Sequence, residues 1–246
     1  MPEPESVPGA GTKGGTSLFR LSCLVLSILA VCGAAFGADQ VWKLVQEGSG
    51  VSVYARDVIA HPIHEYLGIG EVAEPPEVIG AALMDVPSFK KWFYRCREIR
   101  TLEARPGFDY VIHITIDSPW PFADRDVVVD ADTEIDLDRM AFRVHGTPTT
   151  HPDAPEVPGV VRIAATEHTW TVEPLADGGT RVGYQHHTDP GGDVPSMFAN
   201  IACRVLAHQS LVNFAEVVRS PVYEKEAREV LERLREEFGG APGHAR

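Results

Sequence analysis

The stretch "TRVGYQHHTDPGGDVPSMFANIACRVLAHQSLVNFAEVVRS", Thr180 to Ser220, decides the fold. Its first ten residues alternate as a β-strand does, and the Gly and Pro residues that follow end the strand. "DPGG" and Pro195 then mark a turn and a helix start, with Asp193 or Ser196 as the expected cap. From there Met197, Ile201, Val205, His208, Val212 and Ala215 recur at spacings of three and four, which predicts one long amphipathic helix. A helix with one apolar face must bury it against another layer, and the preceding residues supply that layer. "EIRTLEA", "FDYVIHITID", "RDVVVDADTEID", "MAFRVHGT" and "GVVRIAATEHTWTVEPL" are β-rich segments separated by Gly, Pro or Asp turns. Strands grouped in this way predict an antiparallel sheet with helices on one face, an α+β fold. Such a sheet can curve around the long helix and leave a cavity inside.

The regions on either side are simpler. "VWKLVQEGSGVSVYARD" predicts a short helix, a turn at Gly48 to Gly50 and a strand, and "IHEYLGIGEV" predicts a second strand. Pro75-Pro76 opens a helix through "EVIGAALMDV", and "PSFKKWFYRC" forms a second short one. After the long helix, Ser220-Pro221 restarts or kinks the chain. "VYEKEAREVLERLREEF" then continues with Glu–Arg pairs before a flexible Gly/Pro tail.

Composition narrows the function classes. The chain has 246 residues, 44% of them hydrophobic, enough for one domain with a substantial core. Its formal charge of −13, with 35 acidic against 22 basic residues, repels phosphate backbones and excludes nucleic acid as a partner. The same charge opposes simple electrostatic docking on anionic lipid. Residues 1–37 differ from the rest: a polar lead, Arg20, the uncharged run "LSCLVLSILAVCGAAFG", and a small-x-small ending at Ala35-Phe36-Gly37. This pattern predicts a signal peptide cleaved near Ala38, or else an N-terminal membrane anchor. Both place the domain outside the cytoplasm, in the periplasm or secreted. Cys23 and Cys32 would leave with the signal, and Cys96 and Cys203 remain as two expected free thiols, with a single bridge in an oxidising compartment as the alternative.

The acidic run Asp124, Asp126, Asp130, Asp132, Glu134, Asp136 and Asp138 invites a calcium reading, but Ile135 stands where an EF-hand loop needs Gly. Its period of two instead predicts a solvated outer strand face. Arg125, Val127 and Val129 then project to the apolar side, where the arginine needs a partner, either an ion pair or a ligand oxygen. By the same alternation Tyr110, Ile112 and Ile114 form a wall of the interior, and His113 is expected to be exposed. His168 shares a face with Trp170 and is a candidate polar spot. Adjacent His186 and His187 point to opposite faces. No H-E-x-x-H, C-x-x-C, G-x-S-x-G or phosphate-binding loop is present, so neither a metal, a cofactor nor nucleophilic catalysis is expected.

These segments resemble the steroidogenic-acute-regulatory-protein-related lipid-transfer (START) domain, of the helix-grip fold. The resemblance runs from about Val41 to Arg219. It rests on "WKLVQEGSGVSVYAR", "LMDVPSFKKW", "SPWPFADRD", "VRIAATEHTWTVEP" and "TDPGGDVPSMFAN" in that order. It implies a curved antiparallel sheet gripping the C-terminal helix around a tunnel for one lipid or sterol. It also implies that Arg125 occupies the family's arginine at the start of a central strand. The domains expected are 1–37 as signal or anchor, 38–220 as the lipid-binding domain, and 221–246 as helix extension and tail. The expected function is non-catalytic binding and transfer of one hydrophobic ligand by a monomer that touches membranes transiently. An enzyme on the same fold, cyclase- or hydrolase-like, is the alternative, and a third reading is an anchored interaction module whose own side chains fill its interior. Expected ligand contacts are Tyr110, Ile112, Ile114, Arg125, Val127, Val129, His168, Tyr184, Met197, Ile201, Val205 and His208, with entry by movement of the final helix or of the loop at 147–159.

Overall fold

The computed structural model describes residues 41–238; the expected export signal or anchor at 1–37 and the Gly/Pro tail lie outside the described residues. The described chain begins with β1 (Lys43–Gly48), β2 (Val51–Val58) and β3 (His61–Val72), followed by the short helices α1 (Pro76–Met84) and α2 (Phe89–Trp92). Next come β4 (Cys96–Arg105), β5 (Asp109–Ile116), β6 (Asp124–Asp136), β7 (Ala141–Pro148), β8 (Val160–Arg162), β9 (Ala165–Pro174) and β10 (Thr180–Asp189). The helices α3 (Ser196–Val217) and α4 (Pro221–Phe238) close the order.

The strands form one sheet in the order β1-β2-β3-β10-β9-β7-β6-β5-β4, with the short β8 paired parallel to β6. All other pairings are antiparallel. The first hairpins build one end of the sheet, and α1 and α2 carry the chain to the other end. The last strand, β10, joins the two halves by pairing with both β3 and β9. α3 crosses the inner face over β2, β3 and β10, and α4 packs on α1.

The helix expected in "VWKLVQEG" is instead β1, in register with β2 from Lys43↔Ala55 to Gly48↔Val51. Its apolar residues suit either state, and the tight turn at Ser49-Gly50, both with positive φ, commits the segment to a hairpin. The segment "GVVRIAATEHTWTVEPL", expected to be one strand, is two: β8 lies beside the start of β6, and β9 beside β7 and β10. No side chain caps α3. Pro195 occupies that place, and its carbonyl accepts from Phe198 N–H at 2.9 Å and Ala199 N–H at 3.2 Å.

The buried face of α3 also differs from the expected stripe. Ala199, Cys203, Ala207, Ser210, Leu211 and Phe214 face the sheet, while Met197 and Ile201 are 62% and 45% exposed. Close approach decides this. A Cβ on Gly68 of β3 would sit 2.6 Å from Leu211 Cδ1 and 3.4 Å from the Ala207 carbonyl oxygen. The missing side chain at Gly68 leaves the space that Leu211 fills, and Ala207 lets the helix backbone come close.

The outer face is the solvated surface that the acidic run suggested at Asp132, Glu134, Asp136 and Asp138, which are exposed, but not at the start of β6. Asp126 is 2% exposed and accepts from Arg162 Nε at 2.9 Å and Nη2 at 2.8 Å, with His113 Nε2 also 2.8 Å away. His113, expected to be exposed, is therefore enclosed. The cover is the segment after β7, which places Ala154 over Val111 and Val128 and returns as β8. Arg162 holds it with a further bond to the Ala154 carbonyl, and Arg100 with one to Asp153 O. The loop at 147–159 is thus a strap on the outer face, away from the interior. Burial raises the carboxyl pKa of Asp126, but its bonds to Arg162 and His113 outweigh that and leave it below the usual carboxylate range. A depressed carboxylate contributes stability above its unfolded pKa near 3.9 and loses it as pH falls through the lower folded value.

Arg162→Met leaves Asp126 buried with its main partner gone and is expected to cost about 3–5 kcal/mol in urea unfolding. The double change Asp126→Leu with Arg162→Met is expected to recover most of that loss. A cost under about 1 kcal/mol for the single change would mean that the strap is not held by this pair.

Candidate functional site

The inner face carries a column of aromatic side chains contributed by three neighbouring strands. Trp170 of β9 stacks on Tyr184 of β10 at 4.1 Å, Tyr184 on His186 at 5.0 Å, and His186 on Tyr66 of β3 at 6.0 Å. The alternation of β10 places Tyr184 and His186 on this face, and His187 on the other, where its ring meets His61 at 4.7 Å. Trp92 of α2 closes the column from the helical side, edge-on to Trp170 at 5.4 Å and to Phe214 at 4.9 Å. The protein's own side chains therefore fill this part of the interior.

The other part is packed differently. Ile112 and Ile114 of β5 pair with Val129 and Val127 of β6, and these four form a second buried cluster with Val86, Ala131 and Ile163. Cys96, Tyr110, Ile116 and Val144 touch both clusters, yet each is only half-buried. The wall expected from the alternation, Tyr110, Ile112, Ile114, Val127 and Val129, is thus brought together on one face.

His168 sits at the junction of the two clusters. Its ring lies over Gly146, its register partner on β7, whose missing side chain leaves room for the imidazole. Burial pushes its pKa down to about 4, so the ring is neutral at neutral pH. Burial also holds the Tyr184 hydroxyl well above its ordinary value. His168 and Tyr184 rings are 6.5 Å apart, and neither side chain has a hydrogen-bond partner among the described residues. His186 has the same depressed pKa of about 4 from burial, but its Nε2 is 3.2 Å from the Cys203 carbonyl oxygen and so has a partner.

Arg125 faces inward as expected, but it pairs with neither an acid nor open space. Its guanidinium donates to the carbonyls of Ala123, Pro190 (3.3 Å) and Gly191 (3.3 Å) and to Ser118 Oγ (3.4 Å). It is buried, and desolvation lowers its pKa. Gly191 and Gly192 have φ of 64° and 65°, a conformation that lets the turn aim its carbonyls at the guanidinium. Arg125 therefore ties the 117–123 loop, which holds the cis Trp120–Pro121 bond, to the turn leading into α3.

The contacts expected on α3 fall elsewhere. Met197 and Ile201 point away from the interior. Val205 is half-buried but belongs to neither cluster. His208 Nε2 bonds the Gly48 carbonyl at 3.0 Å, against the β1–β2 turn. The spacing identified a helix with a face, but the residues that pack are Ala199, Cys203, Ala207, Ser210, Leu211 and Phe214, the first four of them small. Sequence reasoning also missed an open cleft of about 400 Å³ between β1–β3 and the first half of α3, which Ile201 alone of the expected contacts lines. Cys96 and Cys203 are free thiols, the second fully buried.

Stability is expected to fall as pH drops from about 6.5 toward 4, because His168 and His186 take up protons only on unfolding in that window. His168→Gln is expected to flatten the pH dependence of urea midpoints there. An unchanged slope would show that the ring is not held neutral.

Comparison with known proteins adds four findings. The sequence profile of the START domain matches residues 34–227. An uncharacterized protein of Pseudomonas aeruginosa is 33% identical over 183 residues, 74% of this chain and 88% of that protein. The phosphatidylcholine transfer protein of Bos taurus is 27% identical over 201 residues, 80% of this chain and 90% of its own. The crystal structure of a STAR-related lipid transfer protein from Xanthomonas axonopodis superposes with a TM-score of 0.66 at 28% identity, covering 73% of this chain and 99% of that one.

Proposed function

The chain belongs to the START domain family, and from that premise we propose that it encloses one lipid or sterol beneath α3 and carries it between membranes chemically unchanged. Lipid binding and transfer are what its named relatives are known by. The observation that carries the reading to a single enclosed ligand is the pair His168 and Tyr184. Two polar side chains without protein partners, Tyr184 in the aromatic column and His168 over Gly146 beside Val129, match a site in which a few groups orient a mostly apolar ligand. The half-exposed residues between the two inner clusters supply room beside them.

The chemistry of the pair restricts the ligand's polar end. A neutral imidazole and a protonated phenol suit a hydroxyl, a carbonyl or an ester oxygen. Affinity would come from apolar burial at about 25 cal/mol per Å², with the polar pair setting orientation. Arg125 acts as a latch in this scheme: its donors are already spent on the loop and turn it joins. Release of that latch would free the start of α3 and the 117–123 loop to admit a ligand. Trp120, 93% exposed, with Met197 and Phe198 beside the same turn, would meet the membrane first. The domain acts outside the cytoplasm, exported or anchored through the apolar stretch within 1–37, as a monomer.

Native mass spectrometry of the purified protein is expected to show one co-purified lipid or sterol per chain, with mass unchanged after incubation. Tyr184→Phe is expected to weaken retention by about fivefold, the value of one hydrogen bond, without shifting the melting temperature. Absence of bound lipid, or its turnover, would overturn the proposal.

A further inference from the structure

The open cleft between β1–β3 and α3 is lined by Lys43, Asp57, His64, Asn200 and Arg204, with Val45, Ala55, Tyr66 and Ile201. Most of its polar groups are already occupied. Asn200 Oδ1 accepts from His64 N–H at 2.9 Å and from the Tyr66 hydroxyl at 3.2 Å, and its amide donates to Pro62 O at 3.0 Å. Asp57 lies 3.6 Å from Lys43 Nζ and 2.9 Å from His64 Nδ1, so its charge is balanced within the cleft.

Arg204 is the exception. Among the described residues it makes no ion pair and no hydrogen bond, and its Nε is buried without a partner. With Asp57 offset by Lys43, the cleft keeps one uncompensated positive charge in a chain whose net charge is −13. A buried donor of this kind calls for an acceptor, and a guanidinium presents paired N–H groups that match a phosphate or carboxylate. The rim adds a second requirement. Val45 of β1 and Ile201 of α3, both exposed, line the cleft. An anion alone would leave that apolar rim in water, whereas an amphiphile in a membrane surface would cover both.

We propose that this cleft is a docking site, separate from the enclosed ligand, for the phosphodiester of an anionic glycerophospholipid in the membrane, gripped by Arg204 with Lys43 beside it. The Val45–Ile201 rim rests against the adjoining acyl chains. The proposal rests on the lipid-carrying reading above, since it supplies the contact made while a ligand is exchanged. It also accounts for membrane contact by an acidic protein: one unpaired guanidinium selects a single headgroup, without any general attraction to a charged surface.

Flotation of the whole protein with phosphatidylcholine vesicles containing phosphatidylglycerol tests the site. Arg204→Gln is expected to bind about tenfold more weakly than the unchanged protein, as for loss of one charge-assisted pair. Arg204→Lys is expected to keep part of the affinity. The glutamine variant should retain both its melting temperature and any co-purified lipid seen by native mass spectrometry. Equal vesicle binding by the glutamine variant would overturn the proposal. So would loss of its co-purified lipid, which would place Arg204 in the enclosed site, or full displacement from vesicles by millimolar inorganic phosphate, which would make the cleft a site for the free ion. If the unchanged protein carries no lipid, the carrier reading fails, and the flotation comparison still reads the cleft on its own.

Discussion

The close seating of α3 on β3 at Gly68 governs the rest of the molecule. With no side chain on the strand and only Ala207 and Leu211 above it, the helix lies near the backbone of one half of the sheet. Burial of Phe214 and Leu211 there, each worth about 1.5–3 kcal/mol, offsets the cost of ordering the helix. α3 crosses β2, β3 and β10, while α1 meets β7 where Gly80 lies on Phe142, and Val86 after it joins the β5–β6 cluster. The aromatic column fills the region near the helix, and the half-buried Tyr110, Ile116 and Val144 mark where filling stops. The inner face is thus filled by aromatic rings beside the helix and by half-buried side chains beyond them.

Strand β6 shows how alternation divides labour between two faces. Arg125 and Asp126 are neighbours in sequence, yet the first faces the interior and the second the outside. Arg125 spends its donors on carbonyls at the mouth of the grip, where it joins a loop to the turn before α3. Asp126 accepts from Arg162 and secures the strap that covers the outer face. Both groups are buried and both are satisfied, by different means: neutral oxygens for one, a countercharge for the other. The consequence for function is that neither end of the pair is available for acid–base chemistry.

The legible parts of the fold were those with a strong period. The strands from Cys96 onward, the two short helices after Pro75 and the long helix after Pro195 all form, because alternation and helical spacing report on burial directly. "VWKLVQEG" was misleading because its apolar spacing fits either element and its partner strand lies beyond the turn. The stripe at Met197 and Ile201 was misleading for a related reason. Large apolar residues at the start of the helix suggested the buried side, while Ala199, Cys203, Ala207, Leu211 and Phe214 occupy it. Arg125 was legible as inward-facing, but two of its partners, Pro190 and Gly191, lie 65 and 66 positions later, which no local pattern exposes.

What the sequence determined by itself is the class of fold and the inner wall of β5 and β6, because these follow from periodicity, which is a local property. Only the tertiary structure decided which side of α3 is buried, that the loop after β7 is an external strap, and that Arg204 stands unpaired beside an apolar rim. Each of these depends on how closely two distant segments approach. That distance is set by packing in three dimensions, and no spacing along the chain encodes it.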